Sequence, residues 1–149
     1  MLNASDHCPE CGAVFDPRGR SMKSHRHEFA WLKQAWLNLP ERCRMEPWAQ
    51  SPEHLRKYAL IRTGYNKTST YTGKSRGEAF RFAAFQRSED EYCIVTIEDR
   101  IAFTFRADSQ SLAGMGSKRF QESKTAIIDF LDDLIGAPRG TLAKMGETV

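Results

Sequence analysis

Apolar positions near the start of the chain recur at three- and four-residue steps. Phe29, Leu32, Trp36 and Leu39 fall on one stripe of a helix predicted from near Ser24 to about Leu39, and Pro40 stops it. Cys43 to Gln50 read as a connecting loop. Ser51-Pro52-Glu53 then opens a second helix. It offers a side-chain cap, a proline where a missing amide costs nothing, and an acid in the positive first turn. Leu55, Tyr58, Ala59 and Arg62 give that helix a mixed face, and Gly64 supplies its stop.

The pattern is lost from Asn66 to Gly77. NKTSTYTGKSRG is polar, turn-rich and positive, and predicts a mobile loop or frayed hairpin. Glu78 to Arg87 leave strand and short helix both open, because AFRFAAFQR alternates at its start but carries an alanine pair. Two strands follow, Tyr92 to Ile97 and Ile101 to Phe105, turned by Glu98-Asp99-Arg100. After the Gly114-Met115-Gly116 break, Ser117 is expected to cap a last helix running to Ile135. Phe120, Ile127, Phe130, Leu131 and Leu134 form its buried stripe, while Asp129, Asp132 and Asp133 face water. The expected fold class is α+β: two N-terminal helices, a β-hairpin or small antiparallel sheet and a long C-terminal helix, behind a small N-terminal cysteine knob. The expected division is a knob over 1–23, an α+β nucleic-acid-binding domain over 24–136 and a flexible tail over 137–149.

At 149 residues, 40% of them apolar and 28% charged, the chain fits one globular domain with a core of its own. The net charge of +3 is too small to argue for a nucleic-acid partner, so the placement of the charges matters more than their sum. MLNASDHCPEC lacks the apolar core of a signal peptide, and no apolar run approaches the roughly 18 residues of a membrane span. Four cysteines in such a chain point to reduced thiols or metal, so the expectation is a cytoplasmic protein with no membrane partner.

Cys8-Pro-Glu-Cys11-Gly is half of a structural zinc site, since two thiolates in a tight turn can grip one Zn²⁺ that wants four ligands. His25 and His27 are the candidates to complete it, with His7 and Cys43 in reserve. The alternative is a reduced cysteine turn without metal. Between Asp16 and Glu28 stand Arg18, Arg20, Lys23, Arg26, His25 and His27 without an acid. With Ser21 or Ser24 and the free amides of a helix start, they form a phosphate-binding surface. Lys67, Lys74 and Arg76 add charge from the 66–77 segment, and Tyr65 and Tyr71 are candidate base-stacking faces. Trp31, Trp36 and Trp48 read as core. Trp31 or Trp48, if exposed, would instead anchor a partner protein.

The run Arg20 to Leu32 (RSMKSHRHEFAWL) resembles the segment opening the first helix of the phage NinB/Orf recombination proteins. Ser51 to Lys57, leading into Tyr58 to Tyr65, is similar to their second helix. Ala107 to Met115 with Phe120 and a long closing helix is similar to their ending. The resemblance covers roughly residues 18 to 135, and the cysteine knob lies outside it. It implies a small phage or prophage protein, a homodimer, that binds single-stranded or branched DNA and assists recombination without cleaving it. Arg20, Ser21, His25 and Arg26 match its helix entrance. Two other classes stay open: a metal-dependent nuclease, with Cys8, Cys11, His25, His27 and Glu28 as a zinc-and-base cluster and Asp99 and Asp108 flanking the hairpin, and a module acting on a host protein. No HExxH, nucleophile elbow, P-loop or dinucleotide fingerprint accompanies them, and no residue is assigned a catalytic role.

Overall fold

The computed structural model describes residues 22–147. The fold is α+β. Among the described residues it contains helices α1 (Met22–Leu37), α2 (Pro52–Arg62), α3 (Arg76–Glu89), α4 (Leu112–Leu134) and α5 (Thr141–Glu147), and strands β1 (Asn66–Thr72), β2 (Ile94–Glu98) and β3 (Ile101–Ala107). They divide into two compact units. One combines the chain up to Arg44 with the chain from Ser109 onward, and the other is the continuous stretch Met45–Asp108. None of the described helices is long and apolar enough to cross a membrane.

In the discontinuous unit, α1 packs on α5 and α4. The buried face of α1 is Glu28, Trp31, Leu32 and Ala35, spaced as one helical face, and Leu39 is buried beyond its end. Phe29 is 58% exposed, so it leaves the predicted stripe and Trp31 enters it. The three-four rule admits both residues. What selects Trp31 is its larger apolar surface, at a position three residues and so about 60° round the helix from Glu28, one turn before Ala35 on the same face. A short helical turn precedes the predicted one: Ser111 Oγ accepts the Gly114 N–H at 3.2 Å and opens α4 at Leu112. The predicted break is present: Gly116, at φ 77° and ψ 168°, is non-helical and kinks α4, and the long helical run resumes at Ser117. Phe120, Ile127 and Leu131 are buried as expected.

The last residues correct the sequence reading. Thr141–Glu147 form α5 instead of a frayed tail. Asp132, expected in water, is fully buried, and its two carboxylate oxygens each accept a backbone N–H at 3.0 Å, from Gly140 and from Leu142. These amides are donors that a helix start leaves without intrahelical partners, so Asp132 substitutes for a cap from another helix. Where α5 crosses α1 it presents Gly146. A Cβ there would lie 3.0 Å from His27 Cδ2 and 3.2 Å from Trp31 Cβ, so the crossing has no room for a larger residue.

The continuous unit begins with Trp48 stacked on Tyr58 at 4.4 Å, against α2, whose predicted cap is present: Ser51 Oγ accepts the His54 N–H. Its sheet has the order β1-β3-β2, antiparallel throughout. β2 and β3 form the expected hairpin around Asp99, which sits at φ 55°. The predicted loop at 66–77 is overturned, since Asn66–Thr72 pairs with β3 over its whole length. The open choice at 78–87 resolves to helix. Ser75 caps α3, and Ala79 and Ala83 lie fully buried against Cys93, Val95 and Ala102. Ala79 and Ala83, one turn apart, are what let α3 lie close to the sheet, while Ala84 of the pair that blurred the periodicity is exposed.

An ion cluster ties three elements of this unit together. Asp90 accepts from Lys57 Nζ at 2.7 Å and from Arg106 Nη1 at 3.1 Å. Burial alone would raise this carboxyl, but the Lys57 ammonium, the Tyr92 amide and Arg106 outweigh it and hold it below the ordinary aspartate value of 3.8. A depressed folded-state pKa stabilises the fold fully above the unfolded value, and that stability is lost as pH falls through the folded value. The chain should therefore be more resistant to urea than Asp90→Asn at pH 7, and the gap should close as pH drops below 3.8. Midpoints measured from pH 7 to pH 2.5 that keep a constant gap would contradict this.

Candidate nucleic-acid interface

The exposed surface of α3 and the turn before it carries several cations and two exposed aromatic rings. Lys74 precedes its cap, and Arg76 and Arg81 follow along the helix, all exposed; Arg87 is exposed too, but its guanidinium donates to the Val95 carbonyl at the β2 edge. Phe80 and Phe85 are 51% and 56% exposed although they sit among these charges. Helical spacing explains the arrangement: Arg76 lies one turn before Phe80 and Arg81 one turn before Phe85, so each ring has a guanidinium beside it. The Arg76 guanidinium lies over the Phe80 ring, 5.6 Å from its centroid. Five helical steps from Phe80 to Phe85 give about 7.5 Å of rise and about 140° of rotation, so the two rings project from different flanks of α3 and each would meet a base separately.

Acids also stand near these cations. Glu78 accepts the hydrogen bond of the Tyr71 hydroxyl, and Asp90 is engaged by Lys57 and Arg106. Glu89 is the exposed acid on α3. Cations at a helix N-terminus add to the partial positive charge of its free amides, which makes the Lys74–Arg76 turn attractive to phosphate.

The sequence-predicted binding residues are only partly brought together. Lys74 and Arg76 meet at the start of α3. Lys67 is exposed near the far end of β1, about 17 Å from that turn at the usual strand rise. Tyr71 is withdrawn from the list of free base platforms, because its ring stacks on Phe82 at 4.1 Å and its hydroxyl donates to Glu78. Arg26 is exposed on α1, in the discontinuous unit. Lys23 lies in the first turn of α1, and Arg18, Arg20 and Ser21 lie outside the described residues. No protein family, curated protein or solved structure matches the chain. Arg81, Arg87, Phe80 and Phe85 were missed in the sequence reading, because a segment left open between strand and helix has no defined outer face. A helical wheel drawn over 76–89 would have found them.

Of the candidate metal ligands, Cys8 and Cys11 lie outside the described residues, and the histidines are on α1. The His27 Nε2–H donates to the Ala143 carbonyl at 3.0 Å, which leaves Nδ1 as the nitrogen with a lone pair. The His25 ring lies 4.7 Å from Phe120, tilted by 31°, so one of its faces is already covered. Among the described residues no three His, Cys, Asp or Glu side chains converge on one point. Trp31 and Trp48 are buried and present no exposed anchor to a partner.

A cavity of about 340 Å³ opens beside the start of β2, lined by Gln50, His54, Arg87, Glu91, Tyr92 and Cys93 among others. Burial pushes the Cys93 thiol above its ordinary value and the Tyr92 hydroxyl up to about 12. Both are neutral at pH 7, and neither is activated as a nucleophile. Asp99 stands in the hairpin turn and Asp108 just beyond β3, at opposite ends of that strand.

Proposed function

We propose that the chain is a non-catalytic nucleic-acid-binding accessory protein that engages single-stranded or branched DNA. The observation that carries this reading is the α3 surface, where Lys74, Arg76 and Arg81 stand among two half-exposed phenylalanines. Charge alone would serve any polyanion. Rings left in water among charges serve a strand whose bases are free to stack, which favours single-stranded segments over closed duplex. The similarity of the α1 entrance to the phage NinB/Orf proteins adds a role in recombination or replication and a phage or prophage setting. Binding to single-stranded, forked and duplex DNA, titrated with salt, tests the reading. Affinity should fall steeply as salt rises and rank single-stranded or forked DNA above duplex. Salt-independent binding, or none to any of the three, would reject it.

Zinc belongs to the same proposal. Cys8 and Cys11 would supply two ligands and His27 a third through Nδ1. His25, two residues away on the same regular helix, projects about 200° round it and packs on Phe120, so the fourth ligand would come from a reserve candidate such as His7. What supports His27 is its carbonyl partner, because metal-bound imidazoles commonly donate their other N–H to a backbone oxygen. Metal analysis should find one zinc per chain in the native protein and none in Cys8→Ser. A native protein purified gently and free of zinc would exclude the site.

A further inference from the structure

The two edges of the sheet are treated differently. On the outer edge of β2, Arg87 Nη2 donates to the Val95 carbonyl at 3.1 Å, so a charged side chain occupies the edge. β1 has no such guard among the described residues. Tyr65 O accepts from Asp108 N and Gly73 N donates to Arg100 O on either side of its ladder, so Lys67, Ser69 and Tyr71 spend their backbone groups on β3. The N–H and C=O groups of Asn66, Thr68, Thr70 and Thr72 therefore point away from the sheet. Five of the seven residues of β1 are exposed, and it holds no proline and a single charge, Lys67. Natural edge strands are usually protected by proline, bulges or several charges.

The same seven residues are complementary to themselves. Laid antiparallel on a second copy and centred on Ser69, the outward-pointing residues form hydrogen-bonded pairs, Thr68 with Thr70 and Asn66 with Thr72 of the other chain. Lys67 falls opposite Tyr71, and the two lysines are kept four positions apart. Threonine pairs and a cation beside an aromatic ring are favourable cross-strand neighbours, and no like charges meet. Moving the centre to Thr68 or Thr70 shortens the overlap.

We infer that β1 is the contact through which two copies of this chain associate, by antiparallel pairing centred on Ser69 that joins two three-stranded sheets into one of six strands. An interface built on two seven-residue strands is small, so the dimer is weak and concentration-dependent. This inference does not depend on the nucleic-acid reading, and its test uses protein alone. Sedimentation of the full chain should show a reversible monomer–dimer equilibrium. Thr70→Pro removes an outward N–H and no ladder bond, so it should weaken the dimer at least about tenfold while the circular dichroism and melting curve stay close to those of the parent. Thr68→Lys with Thr70→Lys sets lysine against lysine twice and should do the same. Thr68→Lys with Thr70→Glu sets lysine against glutamate twice and should restore the dimer. A parent chain that remains monomeric to about 1 mM overturns the inference, whatever else the edge binds. So does a dimer indifferent to Thr70→Pro, and so does a pair of charge variants that dimerise equally.

Discussion

Alanine at both Arg76 and Arg81 is expected to weaken binding to single-stranded DNA about 15-fold near 0.15 M salt, with a salt slope shallower by about 1.4. The figure follows from counterion release, in which each lost phosphate contact lowers the slope by roughly 0.7 on a single strand. Phe80→Ala should behave differently. Losing one base-stacking ring costs about 1–3 kcal/mol, or roughly 5- to 150-fold, and leaves the salt slope where it was. The two signatures separate charge from stacking on one helix, and both residues are exposed enough that folding should be unaffected. Arg76→Lys adds a third reading. It keeps the charge but loses the planar cover over Phe80, so its slope should match the parent while its affinity falls. If fluorescence titrations of the double arginine variant gave the parent's slope, α3 would not be the phosphate-binding surface.

The second large effect concerns stability. Asp132→Ala should cost about 2–4 kcal/mol, because it leaves the Gly140 and Leu142 amides without their buried acceptor at the start of α5. Asp132→Asn keeps one acceptor oxygen and should cost roughly half as much. The loss should begin locally. α5 would detach first, exposing Leu142 and the His27 and Trp31 surface over which Gly146 lies. Hydrogen exchange would show this as early deprotection of residues 141–147, and urea midpoints would give the total. A variant within 0.5 kcal/mol of the parent would show that solvent replaces the carboxylate and that the cap is dispensable.

Part of this architecture was legible in the chain. The Ser51-Pro52-Glu53 start, the Gly64 stop and the β2–β3 turn are local signals, decided by a few neighbouring residues, and the structure reproduces them. β1 was not legible, because NKTSTYT is an edge strand with polar residues on both faces. The alternation that marks a half-buried strand has nothing apolar to alternate with there. Its threonines and tyrosine were the available signal, and the flanking lysines and glycine hid it. The seven residues of α5 are too few to show a period. Asp132 looked solvated because three aspartates close together on a helix usually are, and only its place before the Gly136 turn makes it a cap for the next helix. The α3 surface depends on knowing which side faces the sheet, which is a tertiary fact. For Lys67 and Tyr71, the candidate site shifted with β1. Once that segment is a strand, alternation sends its side chains to opposite faces instead of gathering them.

The division of the discontinuous unit between the two ends of the chain has a temporal consequence. When α1 leaves the ribosome, its partner α5 has yet to be translated, and about a hundred codons separate them. At ordinary elongation rates, that interval is about 5–20 s. Throughout it the Trp31, Leu32 and Ala35 face of α1 has no finished surface to close on, whereas Met45–Asp108 is completed before α5 is made. The nascent chain thus carries a folded middle and an open beginning, and α1 is the segment on which a chaperone would be found.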